Sequence, residues 1–244
     1  MKSYHDIKNF SDWSKTEKDQ YSIKVIKGLV MDATRKANSG HPGGPMSCAD
    51  FAYILYHDYL NFDPRNHEWF NRDRFVLSGG HMSMLQYSLL LLIGWLGMGD
   101  IKSFRQLHSR TPGHPEVEIP GVECTTGPLG QGFAMGVGMA HAEAYLHNLF
   151  RSLAEEAGQL VDHYTYVLAS DGDLQEPVTL GSASLAGHLG LSKLVVFYDA
   201  NEAQISGHTN RSDSTNYGIV FEGFNWHVQE INGHDHDQIR TAIE

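Results

Sequence analysis

One stretch limits what this chain can fold into more than any other: residues 170–207, SDGDLQEPVTLGSASLAGHLGLSKLVVFYDANEAQISG. It follows an apolar run at 164–169 (YTYVLA), whose β-branched and aromatic residues predict a short buried strand. An Ala- and Leu-rich helix is expected over roughly 179–189. A second apolar run at 194–198 (LVVFY) predicts another strand, ending in Asp199-Ala200-Asn201. Strand, helix and strand of this length form a βαβ crossover, so the strands should be parallel and connected with a right hand. Ligands of open α/β sheets gather outside the carboxyl ends of such strands. Asp171 and Asn201 lie thirty positions apart, each at one of those ends. Their oxygens, with nearby backbone carbonyls, are hard donors of the kind Mg²⁺ or Ca²⁺ takes alongside substrate phosphates. Gly172 leaves room for a phosphate to approach the backbone. The same residues also suit a helix cap and a loop turn, so this segment does not decide the matter alone.

The remaining sequence supports one large α/β domain. A chain of 244 residues buries a sizeable core. Its formal charge of −11, with no Lys/Arg cluster, argues against a nucleic-acid surface. Cys48 and Cys124 make neither a disulfide framework nor a metal-ligand spacing. The amino terminus lacks a charged-then-apolar signal pattern, and the run at 89–93 is far too short for a membrane span. A cytoplasmic location is the expectation. Amphipathic spacing predicts a helix over 18–38, then a break at 39–45 (SGHPGGP) and a second helix over 47–60. A strand is expected at 74–78, an apolar helix at 83–96 and a long functional loop over 100–126. A further helix should run to about Glu156, its Gly132, Gly136 and Gly138 forming a smooth packing face. Residues 226–231 (WHVQEI) read as a third strand, and a last helix starts near Asp237 with His234 and His236 as a solvated helix start.

Three histidines occupy loops built from Gly and Pro: His41 in SGHPGGP, His81 in SGGHMS and His114 in TPGHPE. Any one alone reads as a structural hydrogen-bonder. Together with a Gly-Pro-Leu-Gly turn and the Asp-Gly…Asn pair, they form a set able to converge on one strand-end edge.

At these residues the sequence resembles transketolase, in its amino-terminal, diphosphate-binding half. The matching stretches are SGHPGGPMS, RDRFVLSGGHMSMLQYSLL, HSRTPGHPEVEIPGVECTTGPLGQGFAMGVGMA and DGDLQEP…SLAGHLGLSKLVVFYDAN, covering most of residues 22–210 in the family's order. The resemblance implies a thiamine-diphosphate-binding fold with a parallel sheet flanked by helices, the whole of 1–244 forming a single diphosphate-binding domain, truncated or split at its end. It implies transfer of a two-carbon ketol unit between sugar phosphates, with thiamine diphosphate as electron sink and Mg²⁺, Ca²⁺ or Mn²⁺ as metal. By resemblance, Asp171, Asn201 and the carbonyl of Ala203 would bind the metal. His81, Gly127, Pro128, Leu129, Gly172 and Asn201 would hold the cofactor. His41 and His114 would carry protons or hydrogen bonds to the substrate. A pyrimidine-binding domain, on this or a separate chain, would supply the activating glutamate, in a homodimer or heterotetramer. Without that domain the chain should bind cofactor weakly and catalyse little.

Several positions depart from the family's usual pattern: Ser170 and Pro177 stand for Gly, Gly181 for an interface Glu, and Glu202-Ala203 for Gly-Ile. They motivate a second reading, a non-catalytic assembly subunit that keeps the fold. A nucleotide-binding oxidoreductase is disfavoured because no clear strand precedes the GxGxxxG string at 130–136, and a zinc hydrolase because no HExxH helix is present.

Overall fold

The computed structural model describes residues 9–153, 159–204 and 207–244. Its centre is a three-stranded parallel sheet of β1 (Arg74–Leu77), β2 (Thr165–Ser170) and β3 (Leu194–Asp199), in the order β1-β2-β3. The register pairs Leu77 with Leu168 and Ser170 with Asp199, so all three strands end along one edge. β2 is buried throughout and alternates between two cores. Tyr166 and Leu168 join Phe75 and Leu77 against Ile26, Ile54 and Leu85. Val167 and Ala169 face Phe133, Val137, Ala183 and Ala186 on the other side.

The first layer contains α1 (Lys15–Ala37), α2 (Gly43–Ser47), α3 (Ala49–Ile54) and α4 (Ser83–Ile93). Ser14 and Glu17 close a capping box on α1, and Asn38 ends it in a left-handed turn. The expected break at 39–45 is shorter than its composition suggested, since α2 begins at Gly43. Pro45 lies in that helix's first turn, where a missing N–H costs nothing. α4 stops at Gly94 (φ 89°) rather than at 96. α5 (Met98–Lys102) precedes the long connection.

The second layer is α6 (Gln131–Leu153) packed on α8 (Pro177–Leu189), with the short α7 (Asp171–Leu174) leading from β2. The expected end of α6 near 156 falls outside the described residues. A Cβ at Gly132 would lie 2.6 Å from the Ser78 backbone, and one at Gly136 2.5 Å from Val167. Gly138 faces open space. Two of the three glycines therefore serve the packing face. Two short antiparallel strands, β4 (Ala203–Gln204) and β5 (Gly207–His208), follow β3, and α9 (Tyr217–Gly223) and α10 (His236–Ile243) complete the described chain.

Residues 226–231 do not form the expected strand. Trp226 instead donates its indole N–H to the carbonyl of Ala183 at 2.9 Å and packs beside Phe133 and Phe221. Burying that ring and satisfying its N–H on α8 outweighs the β propensity of the run. His234 and His236 are not merely solvated either. They lie 3.3 and 3.1 Å from the Asp50 carboxylate, which also receives Lys27 at 2.7 Å. Arg240 bridges Asp19 (2.7 Å) and Asp58 (2.9 Å), so α10 is bolted to α1 and to the segment after α3. Both cysteines are free, and among the described residues no helix is long and apolar enough to cross a membrane.

Candidate functional site at the carboxyl edge of the sheet

The loops leaving the strands at this edge are stitched by one carboxylate that the motif reading passed over. Asp173, wholly buried, accepts from Ser78 Oγ (2.6 Å) and Gly130 N (2.8 Å) through one oxygen. Its other oxygen accepts from Ser170 N (2.8 Å) and Ser170 Oγ (2.7 Å). It therefore ties the end of β1, the end of β2 and the turn before α6 to one point. Ser78 Oγ in turn accepts from Phe133 N at 2.9 Å, satisfying an orphan donor in the first turn of α6. The sequence signal was present: Ser170-Asp-Gly-Asp173 has capping-box spacing.

The three histidine loops meet here. The rings of His41 and His81 lie edge to face with centroids 5.2 Å apart. Met82 wedges the two loops together; a Cβ at Gly44 would come within 2.6 Å of its sulfur and one at Gly79 within 2.7 Å of its methyl. The His81 turn packs on the 126–127 backbone, since a Cβ at Gly80 would lie 2.8 Å from the Gly127 nitrogen. Gly127 itself has φ 148°, and a side chain there would reach the ring of His114 at 3.3 Å. Burial lowers the pKa of all three imidazoles. The Arg105 cation adds to this at His41 and His114, and His41 adds to it at His81 and His114. All three rings are thus biased toward the neutral form, which keeps a lone pair available to accept a proton.

The oxygen donors lie beside them. Asp171 is buried and accepts from the Tyr198 hydroxyl at 2.5 Å. Burial raises its pKa; the tyrosine opposes that rise and the nearby Asp199 adds to it. Among the described residues no Lys or Arg lies within ion-pair distance of Asp171 or Asp199. Asn201 is exposed. Its Nδ2 donates to Asp199 (2.7 Å) and its Oδ1 accepts from Ala203 N (2.8 Å), rather than either atom meeting Asp171. β4, which carries Ala203, packs against α7, which begins at Asp171. Gly172 lies under Leu129, where a Cβ would collide with Cδ1 at 2.6 Å. Pro128 accepts from Gln131 N through its carbonyl, closing the turn into α6. Thr126 Oγ1, Gln175 Nε2 and Thr179 Oγ1 are buried without a hydrogen-bond partner among the described residues. A buried carboxylate without a Lys or Arg partner among the described residues, together with orphaned polar atoms, fits a group that is anionic at one end and carries a hard cation.

The departures from the motif are absorbed locally. Ser170 has φ −105° and ψ 172°, ordinary extended backbone, and its hydroxyl bonds Asp173. Pro177 is the first residue of α8. Gly181 faces open space. Glu202 alone takes a glycine-type conformation, φ 56°.

A second polar cluster, Glu143, His147 and Asp162, has metal-like proximity elsewhere on the molecule. Lys193 already fills it, ion-paired with both carboxylates.

A family model described as "Transketolase, thiamine diphosphate binding domain" matches residues 18–244. The transketolase of Staphylococcus aureus (strain MW2) is 51% identical over 229 residues, 93% of this chain and 34% of the relative. The crystallised Leishmania mexicana transketolase superimposes with a TM-score of 0.89 at 43% identity, covering 92% of this chain and 34% of that one. A Pichia stipitis transketolase complexed with sedoheptulose 7-phosphate gives 0.87 at 42%, over 92% and 33%. The chain spans about a third of the length of the relatives it matches.

Proposed function

The chain belongs to the transketolase family, and on that premise we propose that its described edge is the diphosphate-binding half of a two-carbon transfer site acting on sugar phosphates. Residues 1–244 then constitute one diphosphate-binding domain. The observation that carries the reading is the convergence of His41, His81 and His114 with Asp171 and Gly172 on one carboxyl edge, locked by Asp173.

In this reading the Asp171 carboxylate, the Asn201 amide oxygen and the Ala203 carbonyl hold a divalent cation, Mg²⁺ by preference, with Ca²⁺ or Mn²⁺ as substitutes. Gly172 and the Gly127-Pro128-Leu129 turn would contact the diphosphate of thiamine diphosphate through their backbone, and His81 would steady it. When bound, that cofactor supplies the electron sink that lets a carbon–carbon bond beside a ketose carbonyl break. His41 and His114, biased neutral, accept protons from substrate hydroxyls and return them. The aminopyrimidine end requires a pyrimidine-binding domain, on this chain or a partner, in a homodimer or heterotetramer.

Calorimetric titration of thiamine diphosphate into the chain, with and without Mg²⁺ and with a pyrimidine-domain partner, tests this directly. Mg²⁺-dependent binding that tightens with the partner is expected. Asp171→Ala should weaken it at least about 100-fold, near 2.7 kcal/mol. Unchanged affinity in that variant would remove Asp171 from the metal site. Absence of binding under every condition would favour a non-catalytic assembly subunit.

A further inference from the structure

We infer that Arg105 is a positioning residue: from a left-handed turn its guanidinium clamps the 39–45 loop to the 111–116 loop and so sets His41 against His114. Its backbone takes φ 59°, a conformation that strains a non-glycine residue and persists only where the surroundings impose it. Here the imposing contact is Arg105 N donating to the Thr111 carbonyl at 2.9 Å. The turn directs the side chain inward. Nη1 donates to Ser39 Oγ at 2.8 Å, two residues before His41. The guanidinium lies flat on Gly113, next to His114; a Cβ at that glycine would come within 3.0 Å of Nε and 3.1 Å of Cζ. The Phe104 ring supports the cation from behind at 5.6 Å. Nε is buried with no hydrogen-bond partner, and among the described residues no carboxylate lies within ion-pair distance of the group. Among the described residues the positive charge therefore has no acidic partner where it faces the two imidazoles.

Its electrostatic effect follows from that placement. Burial is the larger cause of the lowered pKa of His41 and His114, and Arg105 is the next at each. Of the other groups facing this cluster, Asp173 and Asp199 act on His81 and not on this pair, whereas His41 lowers His114 as well as His81. An arginine fork suits the task because it reaches a hydroxyl and covers a peptide plane at once, which a lysine ammonium does not.

The inference rests on His41 and His114 being the proton-carrying pair of the proposed site, but its test needs no cofactor. Histidine ring signals of the unliganded chain are titrated by NMR in wild type, Arg105→Gln and Arg105→Lys, with His147 as a remote reference. In the glutamine variant both His41 and His114 midpoints should move up while His147 stays. The lysine variant should keep the midpoints near wild type but shift the backbone amide signals of Ser39 and Gly113, the two points the guanidinium joins. A folded glutamine variant whose two midpoints do not move would overturn the proposal. If that variant fails to fold, the lysine variant decides: undisturbed Ser39 and Gly113 amide signals overturn the clamp. Failure of thiamine diphosphate to bind wild type would count against the site reading and leave these titrations unchanged.

Discussion

Asp173 shows how much of a site can hang on one atom pair. Four donors converge on its two oxygens inside a fully buried space. Asp173→Asn keeps the volume but points an NH₂ at groups that are themselves donors. A destabilisation of about 2–3 kcal/mol is expected in urea unfolding, from buried hydrogen bonds lost and donors left unpaired. A change under about 0.5 kcal/mol would mean that the hub is dispensable. Asp171 and Asn201 stand out by their motif spacing at two strand ends. Asp173 was overlooked because a carboxylate two places after Asp171 looked like part of the motif rather than its fastening. Arg105 was invisible for a different reason: neither its left-handed backbone nor its contacts with Ser39 and Gly113 leave a local sequence signature.

At the scale of elements, the βαβ unit, the helix around residues 18–38 and the glycine-faced helix after 130 were all legible, because their periodicity is local. Residues 226–231 were misread, since a run with strand composition can be captured by a helix surface once a tryptophan finds an acceptor there. The last helix was legible as a helix but not as a clamp. Ile239, fully buried, anchors α10 in the same cluster as Ile26, and Arg240 bridges Asp19 and Asp58. Arg240→Ala would leave the nearly inaccessible Asp19 without its cation. A loss of about 3 kcal/mol is expected, in the range for a buried charge stripped of its partner. Chemical denaturation of the variant tests this, and a loss within about 0.5 kcal/mol would place Asp19 in contact with water.

The whole molecule responds to acid in a way set by its buried groups. His163, buried two residues before β2, has its pKa lowered to about 4 by burial and by the nearby Arg74, Lys193 and Arg72. The unfolded chain takes up that proton near pH 6.5 while the folded chain refuses it until about pH 4. The stability involved is thus intact above pH 6.5 and is lost as pH falls through that window. His163→Gln should lose about 2 kcal/mol less than wild type between pH 7 and pH 4.5 in urea midpoints. Equal losses would assign the acid sensitivity elsewhere. Asp58, held down to about 2 by Lys15, His57 and Arg240 against the opposing effect of its burial, contributes stability that disappears only in stronger acid.

The strand order also fixes a sequence of events in time. β2 and β3 pair across one short crossover, with Thr165 opposite Leu194. β1 joins them only after the chain has closed the far longer excursion between Leu77 and Leu168. Loop-closure entropy makes the first pairing quick and the second slow. Asp171 and Gly172 therefore take shape on an early nucleus, whereas His81 arrives with the late strand. The expected order of assembly runs from the acidic side of the edge toward its histidine side, and slower amide exchange around Asp171 than around His81 is the measurement that checks it.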